Sequence, residues 1–120
     1  MRAIKIRLPA YVAPRIEWRK RMYPAMVKTL EDNKISYAKD DRLELNITLY
    51  LEKGAIDVHD VDNRLKDIMD ALQGRAGGPK DEHHFQSLIP NDNQIYKVTI
   101  EKKVPPKQSL GMGHLVIRKY

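Results

Sequence analysis

The stretch Asp60-Val61-Asp62-Asn63-Arg64-Leu65-Lys66-Asp67-Ile68-Met69-Asp70-Ala71-Leu72 carries the residue types and spacing best suited to chemistry. Asp60 and Asp62 stand where a helix should begin. Two carboxylates in that position can share a divalent cation, and hard carboxylate oxygens are the ligands that Mg²⁺ takes. Lys66 follows Asp62 by four residues, which puts both on one helical face. An ammonium beside a bound metal can stabilise the charge that builds up on a phosphate under attack. Asp92 comes later, just before a strand, where it could close a carboxylate cluster. Each of these residues also has an ordinary structural use. Aspartate at a helix start caps the backbone and offsets the helix dipole. Asp62, Lys66 and Asp70 at steps of four form the pattern of a surface ion-pair ladder, and Asp92 among Pro90, Asn91 and Asn93 reads as turn chemistry. Spacing alone leaves both readings open.

The elements that must position these side chains follow from periodicity. Ile4, Ile6 and Leu8 alternate with Lys5 and Arg7. Leu43, Leu45, Ile47, Leu49 and Leu51 share one face against Glu44, Asn46, Thr48 and Glu52. Tyr96, Val98 and Ile100 oppose Lys97, Thr99 and Glu101, and a last strand runs from about His114 to Tyr120. Period-two alternation means one buried and one solvated face, as in a sheet covered by helices on one side. A first helix from about Arg15 to Asn33 places Trp18, Met22, Met26 and Leu30 at steps of four, with Pro24 expected to kink or split it. A second carries the apolar stripe Val61, Leu65, Ile68, Met69 and Leu72 and stops at Gly74. The expectation is α+β: a single compact domain over residues 1–120, with a mixed sheet of about four strands and the helices on one face. The segment between Gly74 and Pro90 is a long loop for so small a domain, hence functional or mobile.

With 22 Lys+Arg against 16 Asp+Glu the formal charge is +6, which favours polyanionic partners, nucleic acid before an anionic membrane surface. Arg15, Arg19, Lys20, Arg21 and Lys28 could track DNA phosphates, or form a merely solvated helix face. No apolar run is long enough to span a bilayer and the N-terminus lacks a signal-peptide pattern, so a cytoplasmic address is expected. With no cysteine, thiolate metal sites and thiol nucleophiles are excluded. His83 and His84 beside Asp81 and Glu82 make a poor metal site of their own, because neighbours in a loop seldom converge on one ion without distant partners. His59 could orient Asp60 or a water, or be a solvated loop residue. Trp18 and Tyr23 suit core or dimer contacts better than base stacking.

Taken jointly, Asp60-x-Asp62-Asn63, Lys66, Asp70-Ala71-Leu72 and Asp92-Asn93-Gln94-Ile95 resemble the signature of the RusA family of Holliday junction resolvases, which are similar in length. The match covers about a third of the chain and rests on the order and spacing of its parts. The resemblance implies a homodimeric endonuclease that cuts four-way DNA junctions in recombination and repair with Mg²⁺, Mn²⁺ being possible. It implies that Asp60, Asp62 and Asp92 hold the metal, and that Lys66 acts as a base-type or charge-stabilising catalytic residue. The chain departs from the family in having Pro9-Ala10-Tyr11-Val12-Ala13-Pro14-Arg15 where many members carry an Asn-Arg element, and Asn91 where a second acid is common. Two rivals use the same residues: a non-catalytic basic DNA- or RNA-binding module whose aspartates only cap a helix, and a Mg²⁺-dependent nuclease or phosphotransferase acting on duplex or flap DNA.

Overall fold

A computed structural model describes residues 3–77, 83–106 and 112–120, with the backbone alone for Gly77, His83 and His84. The elements in chain order are β1 (Ile4–Leu8), α1 (Arg15–Asp32), β2 (Leu43–Tyr50), α2 (Val61–Leu72), β3 (Arg75–Gly77), β4 (His83–His84), β5 (Ile95–Lys103) and β6 (Gly113–Lys119). Four strands form one mixed sheet in the order β1-β6-β2-β5, and β3 pairs with β4 in a separate short hairpin. β6 is antiparallel to both of its neighbours, whereas β2 and β5 run parallel. A parallel connection needs a crossover, and α2 supplies it between β2 and β5. β1 and β2 also point the same way, each being antiparallel to β6, and α1 bridges them.

The alternation read in the sequence decides which face is covered. Ile4, Ile6 and Leu8 of β1, Leu43, Leu45, Ile47 and Leu49 of β2, and Leu115 and Ile117 of β6 are buried against Trp18, Met22, Met26 and Leu30 of α1 and Ile68, Ala71 and Leu72 of α2. The opposite face is polar, carrying Lys5 and Arg7, Glu44, Asn46 and Thr48, and Lys97, Thr99 and Glu101 in register across the strands. The fold is therefore the expected α+β domain, two helices on one side of a four-stranded mixed sheet. No helix among the described residues is long and apolar enough to cross a membrane.

Two local expectations change. Pro24 does not split α1, which runs unbroken through 18 residues. Pro24 is exposed, as is Lys20 four residues before it, so the carbonyl that the proline leaves without a donor lies where water can reach it. The segment after Gly74 is not free chain throughout. Leu88 N donates to the Leu72 carbonyl at 2.8 Å, and Gln73 Nε2 donates to the Ile89 carbonyl at 2.7 Å. Ile89 is fully buried.

Gly74 ends α2 with φ +81°, a conformation that side chains disfavour, and a Cβ there would run into the Phe85 carbonyl. Gly74→Ala should therefore lower stability by about 1–3 kcal/mol from backbone strain alone, and more from the clash. Gly54, with nothing within 4 Å of its Cβ position, is the control, and Gly54→Ala should leave the urea midpoint nearly unchanged.

Candidate functional site

Because both crossover helices begin where a parallel strand ends, the start of α1, the start of α2 and the ends of β1, β2 and β5 gather at one end of the sheet. The link from β2 to α2 folds into tight turns, with Ala55 N and Ile56 N donating to the Glu52 carbonyl at 2.8 and 2.9 Å. Lys102 of β5 then reaches across, and its Nζ donates to the carbonyls of Ile56 (2.6 Å) and His59 (2.8 Å). The chain thus arrives at Asp60 along a fixed path.

Asp60 occupies the N-cap position in extended conformation, yet its carboxylate accepts no capping hydrogen bond from the helix backbone. Its Oδ2 accepts instead from Asn63 Nδ2 at 3.3 Å. Asp62 is exposed, and its carboxylate makes no hydrogen bond or ion pair with another described residue. Capping thus fails to account for the Asp60 carboxylate, and local pairing fails to account for Asp62.

The anticipated ladder along α2 is half made. Lys66 Nζ lies 3.1 Å from Asp70 Oδ2, with no ion pair to Asp62, and the Lys66 side chain stays 63% exposed. Asp70 is buried and draws two further cations, Arg19 of α1 (Nη1, 3.3 Å) and Arg75 of β3 (Nη1, 3.7 Å). Asp67 is completely buried between Arg15 Nε of α1 at 2.8 Å and Arg64 Nε at 3.2 Å. Arg15 and Arg19, expected on a phosphate-tracking face, are thus turned toward α2, one helical turn apart, to meet carboxylates that are also one turn apart. Arg19 is buried and does not belong to that face; Arg15 is partly exposed. The hydrogen bond to Asp67 raises the Arg15 pKa above its ordinary value, and burial works against it. Lys20, Arg21 and Lys28 do lie on the exposed side, Arg21 beside Glu17 (3.6 Å) and Lys28 beside Asp32 (3.4 Å). Such exposed pairs contribute at most about 1 kcal/mol and leave the charges accessible to a polyanion.

Arg64, which the sequence did not single out, anchors the other side of the site. Its guanidinium lies 4.3 Å from the Tyr11 ring centroid, and its Nη1 donates to His59 Nδ1 at 2.8 Å. Arginine is always a donor, so Nδ1 must accept and the imidazole carries its proton on Nε2. Burial, then the charges of Arg64 and Lys102, push the His59 pKa below its ordinary value. The Tyr11 ring meets His59 edge-on at 4.6 Å, and both line a shallow pocket with Tyr50 and Glu52. One signal could have flagged this network: Arg64 and Asp67 sit on the side of α2 that also carries Ile68 and Ala71, where an unpartnered charge would not be tolerated.

Asp92 lies elsewhere. It opens a single 3-10 turn leading into β5, whose first residue Ile95 pairs with Leu43, the first residue of β2, whereas Asp60 follows the far end of β2. At about 3.3 Å per strand residue the separation is on the order of 20 Å. Asp92 therefore does not close a cluster with Asp60 and Asp62 within one chain, and no group of three acidic or histidine side chains among the described residues could hold an ion. The turn explains Asn91 as well: its side chain accepts from Asn93 N at 3.0 Å, while Asn91 N donates to Gln94 Oε1 at 2.9 Å. Asp81, Glu82 and the side chains of His83 and His84 lie outside the described residues.

Asp60 and Asp62 offer exposed hard oxygens, Asp62 wholly uncommitted, at one helix start. That fits a hydrated Mg²⁺, which typically takes one or two protein carboxylates and keeps several waters. No protein-family model and no curated protein matches the chain.

The two kinds of aspartate should separate cleanly in stability. Asp67→Asn leaves Arg64 buried beside a neutral amide and should cost about 3 kcal/mol or more. Asp62→Asn should stay within about 0.5 kcal/mol of the parent. Urea unfolding of the two variants checks this, and equal losses would overturn the division between buried network and exposed site.

Proposed function

We propose that this chain is a Mg²⁺-dependent endonuclease that resolves four-way DNA junctions as a homodimer in the cytoplasm. The observation that carries the reading is the state of the two carboxylates at the start of α2. In a chain of net charge +6, Asp60 and Asp62 are exposed, and neither is spent on capping or on an ion pair with a described residue. The resemblance in order and spacing supplies the reaction class.

A divalent cation bound at Asp60 and Asp62 would activate a water for in-line attack and neutralise charge on the phosphodiester. Lys66, one turn along α2 and 63% exposed although paired with Asp70, would supply an ammonium to the phosphate. The His59 N–H, fixed by Arg64, offers a neutral donor beside Asp60. Lys20, Arg21 and Lys28 add to the sequence-independent attraction of the DNA backbone. Asp92 can join Asp60 and Asp62 only from a second copy of the chain, which agrees with a homodimer. That no third carboxylate among the described residues of one copy joins Asp60 and Asp62 favours, as a second reading, a basic binding module without catalysis.

Incubation of a labelled four-way junction, a flap and a linear duplex, with and without Mg²⁺, tests the proposal. Cleavage of the junction alone, and only with the cation, is expected. Lys66→Met should reduce single-turnover cleavage by on the order of a hundredfold, as expected when a well-placed stabilising group worth roughly 3 kcal/mol is removed. Its stability should change by no more than about 0.5 kcal/mol, the worth of one helical ion pair. Asp62→Asn should abolish cleavage and retain junction binding. Near wild-type cleavage by both variants would sink the assigned site.

A further inference from the structure

β5 lies at the edge of the sheet, paired with β2 on one side only. Its nine residues, Ile95–Lys103, contain no proline or glycine that would interrupt further pairing. The Lys103 carbonyl accepts from Leu51 N at 2.9 Å, so Lys103, and with it Glu101, Thr99 and Lys97, turns its backbone groups toward β2. Val98 and Ile100 turn theirs outward, where no strand among the described residues meets them. Such an edge invites pairing with another chain unless something blunts it.

Thr99 is the middle residue of β5. A second β5 laid antiparallel about a two-fold axis at Thr99 overlaps the whole strand and sets Val98 opposite the partner's Ile100. That pair exchanges backbone hydrogen bonds through the outward groups. On the open face, Lys97 then stands opposite the partner's Glu101, and Glu101 opposite the partner's Lys97. The lysine that would repel a stranger thus finds a carboxylate in its own copy. Among the described residues of one chain Glu101 has only an exposed pairing with Lys103 at 3.4 Å, and Lys97 faces Glu44 of β2.

The helix side of the same edge is unfinished. Val98 and Ile100 are only half-buried, as are Leu65 and Met69 of α2, and Val61 is 36% exposed. The apolar stripe of α2 is thus covered by the chain's own core along Ile68 and Leu72 and left open toward β5.

We propose that the free edge of β5 is the surface on which a second copy of this chain docks, antiparallel about Thr99, joining two four-stranded sheets into one. The inference specifies the homodimer of the proposed function. The same two-fold carries Asp92 of the partner subunit toward the end of β5 whose Lys102 holds the loop before Asp60.

The test needs neither DNA nor metal. Light scattering of the wild-type chain at tens of micromolar should report twice 14.0 kDa. Glu101→Lys sets lysine against lysine across the axis twice, and Lys97→Glu sets glutamate against glutamate. Each should raise the dimer dissociation constant by on the order of tenfold or more. Mixing the two variants restores both opposite-charge pairs and should restore the dimer, which also shows that each variant is folded. A monomeric wild type, single variants that dimerise as tightly as the parent, or a mixture that stays monomeric would each overturn the proposal. Junction cleavage, measured separately, decides the proposed activity whatever the outcome here.

Discussion

Two buried carboxylates on α2 hold the arrangement on which the rest depends. Asp67 and Asp70 face α1, and arginines from α1 reach across to both, while Arg64 and Arg75 close the network from within α2 and from β3. Taking such charges out of water is expensive, and mutual attraction offsets the cost only where partners and geometry are right. Correct docking of α1 on α2 is therefore a condition for burying either carboxylate. A helix pair that slid by one turn would strand a charge, so the network selects one register where apolar packing alone would tolerate several. The register in turn sets where the start of α2 sits above the sheet.

Fixation of that start is completed by contacts made through charged groups. The ammonium of Lys102 is taken up by two loop carbonyls, and Arg64 is shared among Asp67, the face of Tyr11 and the imidazole of His59. Rigid backbone behind and unspent carboxylates in front is the arrangement that a reactive or ion-binding site requires, because side chains that need not hold the fold together can serve a ligand.

The strands and α2 were legible because alternation and helical periodicity report directly on which side of an element is covered. Strand β2, with its unbroken run of alternate leucines and isoleucine, could hardly be read otherwise. Two features resisted. The basic residues of α1 share one region of sequence, but Arg15 and Arg19 point inward to carboxylates and Lys20 and Arg21 point outward. Composition cannot tell these directions apart without knowing what α2 presents. Asp92 was placed correctly before its strand, yet nearness to a cluster depends on strand direction. A crossover through α2 makes β5 parallel to β2, which sends the start of β5 to the end opposite Asp60. The hairpin after Gly74 carried too little periodicity to be recognised, and Ile89 reaches the core from a segment rich in turn residues.

β6 follows every other described element in the sequence and still lies between β1 and β2. During synthesis β2 and β5 can pair as soon as both have emerged, with α2 between them, but β1 has no neighbour in the sheet until β6 arrives. β1 must wait for β6. Until then its alternate isoleucines and leucine have only α1 to cover them, and its backbone stays open to other chains, as expected where non-local pairing delays closure. Lys5 and Arg7, whose charges work against stacking of β1 with other β1 segments, thus protect the chain during the interval before its sheet is complete.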